Sequence, residues 1–215
     1  MNVKFLFVIL ITNYIMDEKF LNNAYQGDKD FWFLSKQGKI ADYWISKCKY
    51  PDWKRFLPLF EENMGMQTHT DHGGAILSYN KDGKYVYQVD PKHEYENFIK
   101  KELEPFQFDS IEFEKCWWIK YPVGAYSGLH THLPLRKLTS VLFLDTLELN
   151  DDKPLAGKLQ SVTQNPVTGE LISDVAKCIA GDVSIMDGKV YHGVYPTLQE
   201  RRAFVCDFIY EVTYD

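Results

Sequence analysis

The chain has 215 residues, 45% of them hydrophobic and 15% aromatic, which is enough apolar side chain for one or two packed domains and too much for a disordered polypeptide. Its formal net charge is -6 and no run of Lys and Arg exceeds a pair, so the composition carries no strong nucleic-acid signal and no polybasic membrane signal. The four cysteines, Cys48, Cys116, Cys178 and Cys206, are scattered without a CxxC pair, the pattern of reduced thiols in a cytoplasmic protein rather than of a disulfide framework or a zinc cluster.

Residues 1–15 form an apolar leader or a mis-called start. Phe5 to Ile11 follows Lys4 and has the shape of a short signal-peptide core, yet no small-x-small cleavage site follows and the run is too short to span a bilayer. The favoured reading starts translation at Met16, where Met-Asp-Glu-Lys opens an ordinary soluble sequence. Residues 16–109 make a helical and hairpin region. Trp53, Phe56, Leu57, Phe60 and Met64 recur at helical spacing behind Pro51 and Asp52, and Ile40, Tyr43, Trp44 and Ile45 predict a shorter helix before them. Such aromatic stripes are helix faces packed on a sheet.

Ala75–Tyr79 and Lys84–Val89 flank Asn80-Lys81-Asp82-Gly83, a hairpin signal. Just upstream, His69-Thr70-Asp71-His72 stands in a Gly-rich stretch and reads as a loop or a substrate-side element. Glu94 to Glu104 is a charged helix stopped by Pro105. From Ser110 the period changes to two, placing Ile111, Phe113, Trp117, Ile119 and Tyr121 on one face of a long strand. Strand-like runs follow at about Leu129–Leu133, Leu138–Asp145, Gly157–Val162, Leu171–Ala176, Asp182–Asp187, Val190–Tyr195 and Arg202–Thr213. Short strands with this turn-rich punctuation predict a mainly β fold for residues 110–215, a double-stranded β-helix or jelly roll, with the N-terminal α-helices packed on it.

The chemistry concentrates in that half. On a strand, His130 and His132 share one face, about 6.5 to 7 Å apart along the chain, a two-pronged clamp for one metal ion. His192 can return on a later strand with a third nitrogen. Pro196 and Thr197 to Glu200 make a turn, after which Arg202 would stand beside the metal as a fixed cation. Three neutral imidazoles suit iron, zinc, copper or nickel and leave coordination positions open.

The flanks of these residues carry a resemblance. Trp118-Ile119-Lys120-Tyr121-Pro122-Val123-Gly124-Ala125-Tyr126, His130-Thr131-His132 and Arg136-Lys137-Leu138-Thr139-Ser140-Val141-Leu142-Phe143-Leu144 resemble the first half of an iron(II) and 2-oxoglutarate dependent dioxygenase. Ala156-Gly157-Lys158-Leu159, Gly181-Asp182-Val183-Ser184-Ile185, His192-Gly193-Val194-Tyr195-Pro196 and Arg202 resemble the second. The resemblance implies iron(II) as cofactor and 2-oxoglutarate as cosubstrate. It makes His130 and His192 metal ligands, puts His132 where the family has a carboxylate, gives Arg202 the far carboxylate of 2-oxoglutarate, and offers Tyr121 or Thr139 for a further hydrogen bond to it. Trp117, Trp118 and Tyr126 could wall the substrate, with core packing the duty of at least one tryptophan.

The implied reaction is hydroxylation of a C–H bond in a protein side chain or small molecule, with decarboxylation of 2-oxoglutarate to succinate. His132 departs from the pattern by leaving the site about one unit more positive. Two other readings share the architecture. A cupin-type metalloenzyme with three histidine ligands matches Gly124 and the His-x-His spacing but lacks the usual following Glu, where Arg136 and Lys137 stand; a non-catalytic jelly-roll module would use the pocket for recognition alone. A nucleic-acid demethylase fits less well, because its second arginine would fall on Phe208.

Overall fold

The structure is a computed structural model that describes residues 34–35, 39–40, 45–65, 68–78, 91–104, 108–132, 136–148, 150–164 and 171–211. The apolar run Phe5–Ile11, the pair Tyr43–Trp44 and the Asp82-Gly83 turn with its flanking second strand lie outside the described residues. Among the described residues no helix is long and apolar enough to cross a membrane.

In chain order the elements are β1 (Leu34–Ser35), β2 (Lys39–Ile40), β3 (Ile45–Lys49), a 3-10 turn (Trp53–Arg55) leading into α1 (Phe56–Met64), β4 (Thr68–Thr70), β5 (Ile76–Ser78) and α2 (Pro91–Leu103). Then come β6 (Ser110–Tyr121), β7 (Ser127–His130), β8 (Lys137–Phe143), β9 (Leu159–Gln164), β10 (Leu171–Val175), β11 (Asp182–Asp187), β12 (Tyr191–Val194) and β13 (Arg201–Glu211). A seven-stranded sheet has the order β3-β11-β8-β13-β6-β5-β4, and a four-stranded sheet has the order β10-β9-β12-β7. The strands β6 to β13 are thus dealt between two antiparallel sheets, which is the expected double-stranded β-helix.

Two apolar layers hold it together. Between the sheets lie Trp117, Ile119, Tyr121, Val141, Phe143, Leu159, Met186, Val194, Ala203 and Val205. On the outer face of the large sheet, α1 and α2 press Phe56, Phe60, Tyr95, Ile99 and Leu103 onto Trp118, Leu142, Phe204, Cys206 and Phe208. The helices expected from the aromatic stripe at Trp53–Met64 and from Glu94–Glu104 therefore do clad the sheet.

Two local expectations are corrected. Neither Ile40 nor Ile45 is helical: Ile40 pairs with Leu34 in β2, and Ile45–Lys49 is a strand zipped antiparallel to β11, from Ile45 opposite Met186 to Lys49 opposite Asp182. Backbone pairing along an otherwise open sheet edge overrides a weak helical spacing. On β6, the face shared by Trp117, Ile119 and Tyr121 is not shared by Ile111 and Phe113, which pack on the helix side. The cause is a β-bulge: Lys115 pairs with Asp207 but Phe113 with Phe208, so Glu114 is an extra residue that inverts the alternation.

The turn into β11 is built on Gly181. It has φ +89°, gives its N–H to Phe143 O at 2.8 Å and accepts the Tyr50 N–H at 2.8 Å. A Cβ there would lie 2.5 Å from Trp53 Cδ1, so side chain and backbone both oppose substitution. Gly181→Ala is expected to cost on the order of 2 to 4 kcal/mol, read as a lower urea midpoint with an unchanged denaturant slope.

Candidate metal centre

His130 ends β7 and His192 lies directly opposite it on β12. His132 continues the extended chain, its N–H held by Gly188 O at 2.8 Å. Period two along the first segment and cross-strand pairing with the second bring the rings together, with centroids 5.3 Å apart for His130 and His132, 4.5 Å for His130 and His192, and 4.9 Å for His132 and His192. Each offers one ring nitrogen, and the three lie within 4.8 Å of one another.

The tautomers follow from the hydrogen bonds. His130 Nδ1 is 2.8 Å from Gly128 O and His192 Nδ1 is 3.1 Å from Val190 O, and a carbonyl can only accept. His132 Nδ1 is 2.8 Å from Asp207 Oδ1 and 3.1 Å from Oδ2. All three rings therefore carry hydrogen on Nδ1, which leaves Nε2 as the nitrogen each can offer a metal. Burial, then the neighbouring His132 and His130, push His192 down to about 3; desolvation also lowers His130. Imidazoles kept neutral at His130 and His192 fit a divalent transition metal.

The rings face a cavity of about 400 Å³. Its walls include Trp117, Tyr121 and Val141 from the large sheet and Leu159 from the small one, with His69, Asp71 and Leu77 on the β4–β5 side and Lys115 and Lys137 near His132. His69 and Asp71 thus belong to the cavity wall. Asp71 Oδ1 is occupied in holding its own loop, 2.9 Å from the Gly73 N–H and 2.8 Å from the Ala75 N–H.

Arg202 is not at the cavity. Successive β13 residues point to opposite sheet faces, and Arg202 points outward, where Nη2 and Nε bind Asp145 at 2.7 and 3.0 Å and Nη1 binds Glu61 at 2.8 Å. Its guanidinium lies 5.6 Å over the Phe60 ring. The neighbouring Arg201 lines the cavity instead. It is 1% exposed, sits 5.1 Å from the Tyr121 ring and 5.0 Å from the Phe143 ring, and its Nε and Nη1 are buried without a hydrogen-bond partner. A readable signal was present: the residues in phase with Arg202 are the bulky Phe204 and Phe208, whereas those in phase with Arg201 are Ala203 and Val205, small enough to leave room.

Of the other expected contacts, Tyr121 lies in the cavity beside Arg201, its hydroxyl pushed up to about 12 by burial against the opposing Arg201 charge. Thr139 is buried and gives its hydroxyl to Asp207 at 2.8 Å. Trp117 lines the cavity and stacks on His132 at 5.8 Å and 23°. Trp118 is fully buried in the helix-side core and Tyr126 is largely exposed. Asp207 was missed altogether, because a carboxylate inside an apolar strand has no sequence motif.

Acid should unfold the metal-free protein in a defined window. The unfolded chain takes up a proton at His192 below about 6.5 and the folded chain only near 3, so this contribution is full above pH 6.5 and lost as pH falls toward 3. In the presence of a chelator, stability should drop by up to about 1.4 kcal/mol per pH unit across that window from His192 alone. Urea midpoints measured against pH should show a shallower slope for His192→Asn.

No protein-family model matches the chain, and no curated protein matches it. Solved structures do. A prolyl-4-hydroxylase of Pseudomonas putida aligns with TM-score 0.56 at 15% identity over 78% of this chain and 92% of its own. The non-heme alpha ketoglutarate dependent epimerase SnoN of nogalamycin biosynthesis aligns with TM-score 0.61 at 12% identity over 78% and 77%. HygX of Streptomyces hygroscopicus, solved with nickel, 2-oxoglutarate and hygromycin B, aligns with TM-score 0.53 at 11% identity over 78% and 82%. The chain has the fold of the 2-oxoglutarate and iron(II) dependent oxygenases.

Proposed function

We propose that the protein is an iron(II) and 2-oxoglutarate dependent oxygenase that hydroxylates a C–H bond of a protein side chain or small molecule. The observation that carries this reading is that one cavity holds two complementary features: three imidazoles with free Nε2 atoms, and a buried guanidinium with unpaired N–H groups. His130, His132 and His192 would hold the metal, whose chemistry when bound is activation of oxygen at the expense of 2-oxoglutarate, giving succinate. Known structures of this fold include one with Fe3+ and alpha ketoglutarate and one with nickel and 2-oxoglutarate, which supports the same pair here.

Arg201 takes the role first expected of Arg202. A buried cation with empty donor positions is costly, and the far carboxylate of 2-oxoglutarate would offset that cost through charge-assisted hydrogen bonds. Tyr121 stays protonated at physiological pH and can donate a further bond. Thr139 is less suited to that task, since its hydroxyl is given to Asp207. Val141 and Leu159 in the cavity wall would exclude water around the aliphatic part of the cosubstrate. The exposed His130, with His69 beside the cavity, marks the open side where substrate would enter.

The test is an anaerobic iron(II) titration with and without 2-oxoglutarate, following the weak visible charge-transfer band, then succinate release in air. His192→Ala should abolish metal binding. Arg201→Met should retain the metal, weaken 2-oxoglutarate by at least about tenfold and leave the metal-free protein no less stable, because a buried unpaired cation is removed. Arg202→Ala should retain both ligands. Loss of 2-oxoglutarate in Arg202→Ala but not in Arg201→Met would reverse the assignment, and a wild-type chain with neither band nor succinate would sink the reading.

A further inference from the structure

We infer that Asp207 is a positioning residue for His132, supplying through the imidazole ring the negative charge that a directly ligating carboxylate would otherwise bring to the metal. The inference rests on the metal reading proposed above and concerns only how this chain compensates for its three-histidine donor set.

The three rings are not held alike. His130 and His192 are oriented by the neutral carbonyls of Gly128 and Val190, whereas His132 alone is oriented by a carboxylate. His132 is also the residue standing where the resembled family has an acid. Asp207 is 0% exposed, so its charge is strong at short range and must be matched by neighbours. Those neighbours are His132 Nδ1 at 2.8 and 3.1 Å, the Thr139 hydroxyl at 2.8 Å and Lys115 Nζ at 3.4 Å. Burial alone would raise Asp207; the His132 and Thr139 contacts and Lys115 together bring it below its ordinary value.

The geometry fixes the ring completely. Thr139 Oγ1 is a further 3.0 Å from His132 Nδ1, and Trp117 stacks on the ring face at 5.8 Å, so His132 can neither flip nor swing without breaking the Asp207 contact. A carboxylate accepting the Nδ1 proton makes Nε2 a stronger donor. The unit negative charge missing from the ligand set thus stands one ring behind it, and Thr139 is the residue that aims the carboxylate.

Cobalt(II) titration of the full chain, read by its visible d–d bands, tests this without turnover. Asp207→Asn keeps an acceptor for the Nδ1–H but removes the charge, and should weaken cobalt binding about 10- to 100-fold while the urea midpoint shows the chain still folded. Thr139→Val, an isosteric change that frees the carboxylate, should weaken it about threefold to tenfold. The decisive arm is a cycle with His132→Asp: once a carboxylate ligates directly, adding Asp207→Asn should change cobalt affinity by less than about threefold. Equal losses in both backgrounds would make Asp207 a general structural residue and overturn the inference, as would wild-type affinity in both Asp207→Asn and Thr139→Val. A wild-type chain that binds no cobalt overturns the metal reading itself, and the two failures are therefore distinguishable.

Discussion

The alternation of β13 is the constraint from which the site follows. This strand is bonded on both sides, to β6 along Arg201–Glu211 and to β8 along Ala203–Ile209, so its register is set twice. Arg201, Val205 and Asp207 line the cavity with Ala203, while Phe204, Cys206 and Phe208 enter the helix-side core. A slip by one residue would drive two phenylalanines into the cavity and a carboxylate among aromatic rings. The anchoring is strong where it matters: Phe204 lies 4.5 Å from Trp118 and 4.9 Å from Phe56, centroid to centroid. The helices α1 and α2 thus act on the chemistry at a distance, by holding one strand in phase.

That strand also keeps apart two buried charges of the cavity, Arg201 and Asp207. Arg201 and Asp207 share its inner face, with their Cα atoms roughly 20 Å apart by the rise of a strand, and the imidazoles stand between the strand and the small sheet. The charges are treated differently. Asp207 is fully engaged by His132, Thr139 and Lys115, which makes it part of the scaffold. Arg201 keeps two buried nitrogens without partners, a cost the fold retains and one that an anionic ligand would remove. Arg202, by contrast, is bound to Asp145 and Glu61 on the face of the sheet turned away from the cavity.

Much of this was legible in the chain. The eight-strand pattern of the jelly roll survives with end shifts of a few residues, because period-two hydrophobicity and turn residues are local signals. The histidines were legible from their spacing, although the strand expected over Leu129–Leu133 ends at His130 and leaves His132 beyond it; the third stands on a strand that the topology returns to the first. What was not legible depended on parity and on tertiary partners. Arg201 and Arg202 are indistinguishable until it is known which face Phe204 takes. Ile45 looked helical because the pairing that makes Ile45–Lys49 a strand comes from β11, far along the chain. Asp207 and Thr139 could not be paired with His132 from the sequence, since three separate strand segments meet there.

The bulge at Glu114 shows how one strand serves two layers. Before it, Ile111 and Phe113 feed the helix-side core, Phe113 meeting Phe208 edge-on at 6.0 Å. After it, Lys115 and Trp117 face the cavity, opposite Asp207 and Val205. Regular alternation would make a strand either apolar on the helix side throughout or cavity-facing throughout in a given phase; the extra residue changes phase at the one level where a buried carboxylate on the neighbouring strand needs a cation. Glu114 itself reaches Lys137 at 2.7 Å, so the residue that breaks the ladder also neutralises a lysine at the cavity wall. Bulges collect beside functional sites because they re-aim side chains, and here the re-aimed pair, Lys115 and Trp117, holds Asp207 on one side and the His132 ring on the other.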